Sequence, residues 1–174
     1  MKRLGFYQCP SYLIEKYALP CTDKQFIDRG YEIMLEQYRS FVMMRPGAKE
    51  YLIGLKQKGI RVAVLTASTG CFVEVMIRKF GLEGLIDASF SAHDLEMEKS
   101  KPAIYEMLFE HYGCKGEDCV MFEDSAYALQ VAKTLGVYGV GIADPAQPTR
   151  REKLLAAADY FADTYEELAA APLF

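Results

Sequence analysis

Three polar groups follow short apolar runs in this chain, and their types suit one kind of chemistry. Thr66 follows Val62-Ala63-Val64-Leu65, Lys99 lies beyond Ser89-Phe90-Ser91-Ala92, and Glu123-Asp124 end Val120-Met121-Phe122. Open α/β sheets place ligands at the carboxyl ends of such strands. A threonine hydroxyl, with the amides of Ala67 and Ser68 behind it, offers donors to an anion at a helix start. A lysine stabilises the charge that gathers there. Two adjacent carboxylates repel each other and are costly to desolvate without a cation, and an oxygen-only donor set of this kind suits Mg²⁺.

Each group also has a bland reading. Ser68 or Thr69 can cap the helix after Thr66, and for Thr66 alone the cap is the better reading. An isolated Lys99 is a solvated loop residue, with Lys101 a rival for any role. Asp124 or Ser125 can cap the alanine-rich helix that follows, yet for the Glu123-Asp124 pair a metal-related function ranks first. His93 and His111 pair with no evident nucleophile and receive no role, His111 being read as a surface residue.

The elements that must hold these groups follow from periodicity and punctuation. Before Pro46 the pattern is helical: Ser11 caps a helix reaching Tyr17 and stopped by Pro20, and Thr22 with Gln25 forms a capping box. Phe26, Tyr31, Met34, Tyr38 and Phe41 recur near helical spacing, which predicts a packed core face. After Pro46, strands at 60–65, 88–92, 119–122 and 138–143 alternate with helices at 71–80, 102–112 and 126–135, ended by Gly81, Gly113 and Gly136. A helical stretch at 150–158 and a capping box from Thr164 and Glu167 finish the chain. This alternation predicts an α/β fold with a parallel sheet and right-handed crossovers.

Composition sets the outer limits. The 174 residues are 51% hydrophobic and 25% charged, with a formal charge of -4. That is normal for a globular domain and argues against a nucleic-acid partner, which calls for a basic face. Five cysteines form no C-x-x-C pair or zinc spacing, as expected of free thiols in the cytoplasm. Lys2 and Arg3 precede no apolar leader, and no run approaches the ~20 residues of a membrane span. The oligomeric state is not legible.

Thr66, Lys99 in a K-x-x-P-x-I-Y frame with Pro102, Ile104 and Tyr105, and Phe122-Glu123-Asp124-Ser125 together resemble motifs two, three and four of the haloacid dehalogenase (HAD) superfamily. The subset is the one of β-phosphoglucomutases and small-molecule phosphatases. The frame selects Lys99 over Lys101. The resemblance implies a Rossmann-like three-layer αβα core at 45–174 and a partial helical cap at 1–44. It implies a Mg²⁺-dependent phosphatase or phosphotransferase that acts on a small phosphorylated metabolite through an aspartyl-phosphate. Thr66, Ala67, Ser68 and Lys99 would bind the phosphoryl group, Thr66 and Lys99 being counted as catalytic, while Glu123 and Asp124 support the metal.

Two departures qualify the match. Ala128 stands where many relatives carry glycine. More importantly, no Asp-x-Asp follows a strand anywhere in the chain. The resemblance therefore implies that the family's central first strand with its nucleophile is missing from this chain, and Met1 reads as an internal methionine of a longer frame. On this reading the 174-residue chain by itself is inactive. Three arrangements are then open: the strands at 60–65 and 119–122 close on each other, a strand from another chain fills the gap, or the fold is marginal. A non-catalytic phosphate-binding or interaction module with the same fold is the alternative function. An unrelated Rossmann-like domain is disfavoured because no Gly-rich loop follows the first strand.

Overall fold

The computed structural model describes residues 9–171 and 173. The absence of an N-terminal leader, read from Lys2 and Arg3, falls outside the described residues. The chain divides into two compact units, 1–43 and 44–174.

In the first unit, α1 (Cys9–Tyr17) packs on α2 (Asp23–Ser40). Helix α1 starts before Ser11, so Ser11 is not its cap; its hydroxyl bonds the Asp23 carboxylate instead. Thr22 and Gln25 form the expected capping box. The expected core stripe is not realised: no described residue of α2 is buried, Met34 is 43% exposed and Phe41 67%. Two helices alone cannot enclose a core, so an amphipathic face stays half-covered whatever its periodicity.

The second unit holds the α/β core. In order it contains α3 (Ala48–Gln57), β1 (Ala63–Thr66), α4 (Gly70–Phe80), β2 (Ala88–Ser91), α5 (Ala103–Tyr112), β3 (Val120–Glu123), α6 (Ala126–Thr134), β4 (Tyr138–Ile142), α7 (Arg151–Ala157), β5 (Tyr160–Ala162) and α8 (Tyr165–Ala170). Gly81, Gly113 and Gly136 follow their helices at φ of 59°, 61° and 85°, the left-handed conformation that ends a helix cheaply only at glycine. Strand β1 begins later than expected because the Val62 amide donates 2.6 Å to the Asp87 carboxylate. Strand β5 was not foreseen. Thr164 accepts the Glu167 amide at 3.2 Å, but the Glu167 carboxylate turns to the Asp163 amide, so the box is only half formed.

Among the described residues all strand pairing is parallel, in two separate sheets: β1 with β2, and β3–β4–β5. Strands β1 and β3 are not paired with each other among the described residues, so the first of the three expected arrangements is not adopted. In a parallel ladder, alternate residues turn both backbone groups to the same side. The Val62 and Thr66 carbonyls accept from Asp87 and Ala92 across the ladder to β2, so Ala63 and Leu65 turn theirs to the other edge. Both β1 and β3 are half-buried along their whole length, whereas four of the five residues of β4 are buried. Even so, Leu65 of β1 and Met121 of β3 pack against one cluster of Ala92, Ile104, Tyr105, Ala132 and Val137. No described helix is long and apolar enough to cross a membrane.

Candidate phosphoryl site

The turn after β1 is held by side chains rather than by a simple cap. Thr66 Oγ1 accepts the Ser68 amide at 3.0 Å, and the Thr66 carbonyl accepts the Ala92 amide at 2.8 Å. Ser91, 7% exposed, donates its hydroxyl to the Ser68 carbonyl at 2.8 Å and accepts the Asp94 amide at 3.0 Å. Asp94 then accepts the Gly70 amide at 2.9 Å, at the first turn of α4. Thr69 sits at the cap position but makes no capping bond, and neither does Ser68; Asp94 does that work from 24 residues away. A Cβ at Gly70 would lie 2.8 Å from that carboxylate, so glycine is what lets it approach. The hydrogen bond from His93, then that from Gly70, holds the Asp94 carboxyl below its usual range. His93 Nδ1 lies 3.0 Å from Asp94 Oδ1.

Lys99 and Glu123 meet directly. The ammonium bonds Glu123 Oε2, and the two side chains are only 10% and 8% exposed. Glu123 Oε1 accepts the amides of Asp124 and Ser125, each at 3.1 Å, so the carboxylate shapes the turn after β3 as well. Ser125 occupies the cap position of α6 without a capping bond. Burial, then the neighbouring Asp124, pushes the Glu123 carboxyl up, while Lys99 opposes both. The Tyr105 hydroxyl donates to the Lys99 carbonyl at 2.8 Å, which fixes the loop that carries the lysine. Burial, first, and the Glu123 charge raise that phenol well above its usual range.

Asp124 is the less buried carboxylate of the pair. It is half-buried, and Oδ1 accepts the Ser125 hydroxyl at 3.3 Å. Its carboxyl is held down by its hydrogen bond with Glu123 first, then by backbone and Ser125 contacts and the charge of Arg150. An ionised, partly exposed oxygen donor fits Mg²⁺, which takes one or two protein carboxylates and keeps several waters. Both Glu123 oxygens are already engaged, by Lys99 and by the Asp124 and Ser125 amides.

Thr66 is linked to this cluster through the backbone: Ala92 bonds Thr66, Met97 bonds Ala92, and Lys99 follows two residues on. Among the described residues Thr66 makes no direct bond to Lys99 or Glu123. Ala67 lies exposed in the turn. The sequence reading missed Asp94, Ser91 and Arg150. Ser91 and Asp94 carried a signal, the Ser-x-x-acid spacing of a capping box; Arg150 carried none.

The profile of the haloacid dehalogenase-like hydrolases matches residues 14–136. The chain belongs to that family. The resemblance read from Thr66, Lys99 and the Phe122–Ser125 stretch is therefore borne out. Among curated relatives, a phosphorylated carbohydrates phosphatase of Thermotoga maritima is 27% identical over 131 residues, 74% of this chain and 61% of that protein. The protein CbbY of Cereibacter sphaeroides is 31% identical over 130 residues, 73% of this chain and 55% of that protein. The chain thus spans less than two thirds of either. Among solved structures, CbbY from Rhodobacter sphaeroides in complex with phosphate aligns with a TM-score of 0.73 and 26% identity, over 86% of this chain and 67% of that one. A β-phosphoglucomutase from Clostridium difficile shares the fold, with a TM-score of 0.69 and 16% identity over 84% of this chain and 62% of that one.

Proposed function

We propose that this HAD-like core binds the phosphoryl group of a small phosphorylated metabolite together with Mg²⁺. It would serve a phosphatase or phosphotransferase whose aspartate nucleophile comes from a strand seated between β1 and β3. The observation that carries the reading is the buried Lys99–Glu123 pair beside the more open Asp124, on the same backbone frame as Thr66. Thr66 Oγ1 already accepts the Ser68 amide, so its own hydrogen is free to donate to a phosphoryl oxygen. Lys99 neutralises a second oxygen, held in place by Glu123 and by the Tyr105 hydroxyl on its carbonyl. The Ala67 amide completes the anion-facing turn, while the Ser68 amide fixes the Thr66 hydroxyl from behind. Asp124, with Glu123 behind it, holds the metal.

Mg²⁺, when bound, screens the repulsion between the phosphoryl group and the attacking carboxylate. Family chemistry then gives an aspartyl-phosphate on the supplied aspartate, which water or an acceptor hydroxyl resolves. Residues 1–44 are read as part of a cap that selects the substrate.

A second reading has its own support. Lys99 and Glu123 neutralise each other in the structure, so the cluster also suits a non-catalytic module that binds phosphate or a partner without turnover. Binding is tested first, by titrating the chain with Mg²⁺ and orthophosphate and following the amides of Asp124 and Ser125 by NMR. Each ligand should tighten the other, and Asp124→Asn should weaken Mg²⁺ by about tenfold or more. Identical titrations of the native and Asp124→Asn chains would remove the site.

A further inference from the structure

At the opposite end of β3 from Glu123, two thiols face each other across a tight turn. Cys114 Sγ and Cys119 Sγ are 3.6 Å apart, and both residues are half-buried. We propose that Cys114 and Cys119 are an oxidisable dithiol, closed into an intramolecular disulfide by small disulfides such as oxidised glutathione.

The backbone on both sides of the pair is already fixed. The Cys114 amide donates to the Phe109 carbonyl at 3.0 Å, just past the left-handed Gly113 that ends α5. The Cys119 amide donates to Gly116 at 2.9 Å, and its carbonyl accepts from Tyr138 of β4 at 3.1 Å. Between them, Lys115 donates its amide to the Asp118 carboxylate at 2.9 Å. Gly116 is wedged so closely that a Cβ there would lie 1.9 Å from the Leu135 carbonyl oxygen. The turn is therefore packed directly against the backbone at Leu135. A disulfide needs the sulfurs at about 2.05 Å, so closure asks for an approach of about 1.5 Å from the 3.6 Å seen here. Little chain entropy remains to be lost when the bond forms. Cys71, by contrast, is exposed on the first turn of α4 with no second thiol in contact among the described residues.

The two sulfurs have different roles. The Cys119 thiol donates its proton to the Lys115 carbonyl at 3.3 Å, and burial first, then Cys114, raises that thiol. Attack therefore begins at Cys114. Its thiolate takes one sulfur of oxidised glutathione and releases one glutathione thiolate. Cys119 then gives its proton to solvent, and its sulfur displaces the second glutathione thiolate from Cys114. Two protein thiols are oxidised, one small disulfide becomes two small thiols, and the protons lost by the protein are regained by glutathione.

The full chain, with its five cysteines, is equilibrated across glutathione buffers of increasing oxidation, acid-quenched, alkylated and mapped by mass spectrometry. A 114–119 disulfide should form at a ratio of oxidised to reduced glutathione at least about tenfold below that which modifies Cys71. Cys119→Ser should leave a stable glutathione adduct on Cys114. Cys114 and Cys119 taking glutathione separately, at the same ratio as Cys71, would overturn the pair, and so would both staying free while Cys71 reacts. An adduct on Cys119 in Cys114→Ser, formed as readily as that on Cys114 in Cys119→Ser, would overturn the assigned order of attack.

Discussion

Strand β4 and the pair β1 and β3 belong to the same kind of parallel layer, yet they are packed very differently. Strand β4 has a hydrogen-bonded neighbour on each side, and Val140 is fully buried beneath a cluster that includes Ile142, Ala162 and Leu168. Among the described residues, strands β1 and β3 each have one paired neighbour and stay half-buried throughout. The groups suited to chemistry follow the less covered strands: Thr66 ends β1, and Glu123 and Asp124 end β3. The β4 side is complete in itself. The site side is held by specific polar bonds in place of a full apolar layer, as expected where a scaffold leaves room for something to bind.

The largest test of that contrast is the buried Lys99–Glu123 pair on the site side. Lys99→Met should cost about 3–5 kcal/mol, because it strands Glu123 in a dry setting. Adding Glu123→Gln to the same chain, which removes the charge and keeps an oxygen for the Asp124 and Ser125 amides, should recover most of the loss in urea denaturation. If Lys99→Met were as stable as the native chain, the pair would be a solvent-screened surface contact. A smaller effect separates the two regions directly. Leu129→Ala, under β4 and 0% exposed, should cost about 2–5 kcal/mol, and Leu65→Ala about half as much, because its site is only half-covered. Equal costs would erase the difference between the strands.

The same contrast was only partly readable from residue order. Helix ends were legible because Gly81, Gly113 and Gly136 mark them chemically, and the α2 start because Thr22 and Gln25 are local to each other. Lys99 and Glu123 were legible as members of one site, though not as partners, since their contact joins positions 24 apart. The Asp94 cap on α4 was invisible for the same reason. Strand β5 is too short, at three residues, to carry a period. The stripe on α2 misled because periodicity reports which face is apolar, not whether the fold supplies a cover for it.

A still smaller effect probes how β1 is anchored. Asp87 bonds Lys56 at 2.7 Å and the Val62 amide at the start of β1, and these bonds, Lys56 first, hold its carboxyl below the usual range. Because the folded value lies below the unfolded one of about 3.9, the stabilisation is complete above that pH and is lost as pH falls through the folded value. Asp87→Asn should cost about 1 kcal/mol at pH 6, and the gap to the native chain should shrink below pH about 4. A difference that stayed constant down to pH 2 would show that the charge of Asp87 plays no part.

The most direct measurement is hydrolysis of p-nitrophenyl phosphate with Mg²⁺, by this chain alone and by the chain extended at its N-terminus with an apolar strand ending in Asp-x-Asp. The account predicts background rates from the first. The second should turn over at least about 10⁶-fold above the uncatalysed reaction, with that activity abolished by Asp124→Asn. Turnover by the unextended chain, or none from a folded extended chain that binds Mg²⁺ and phosphate, would contradict it.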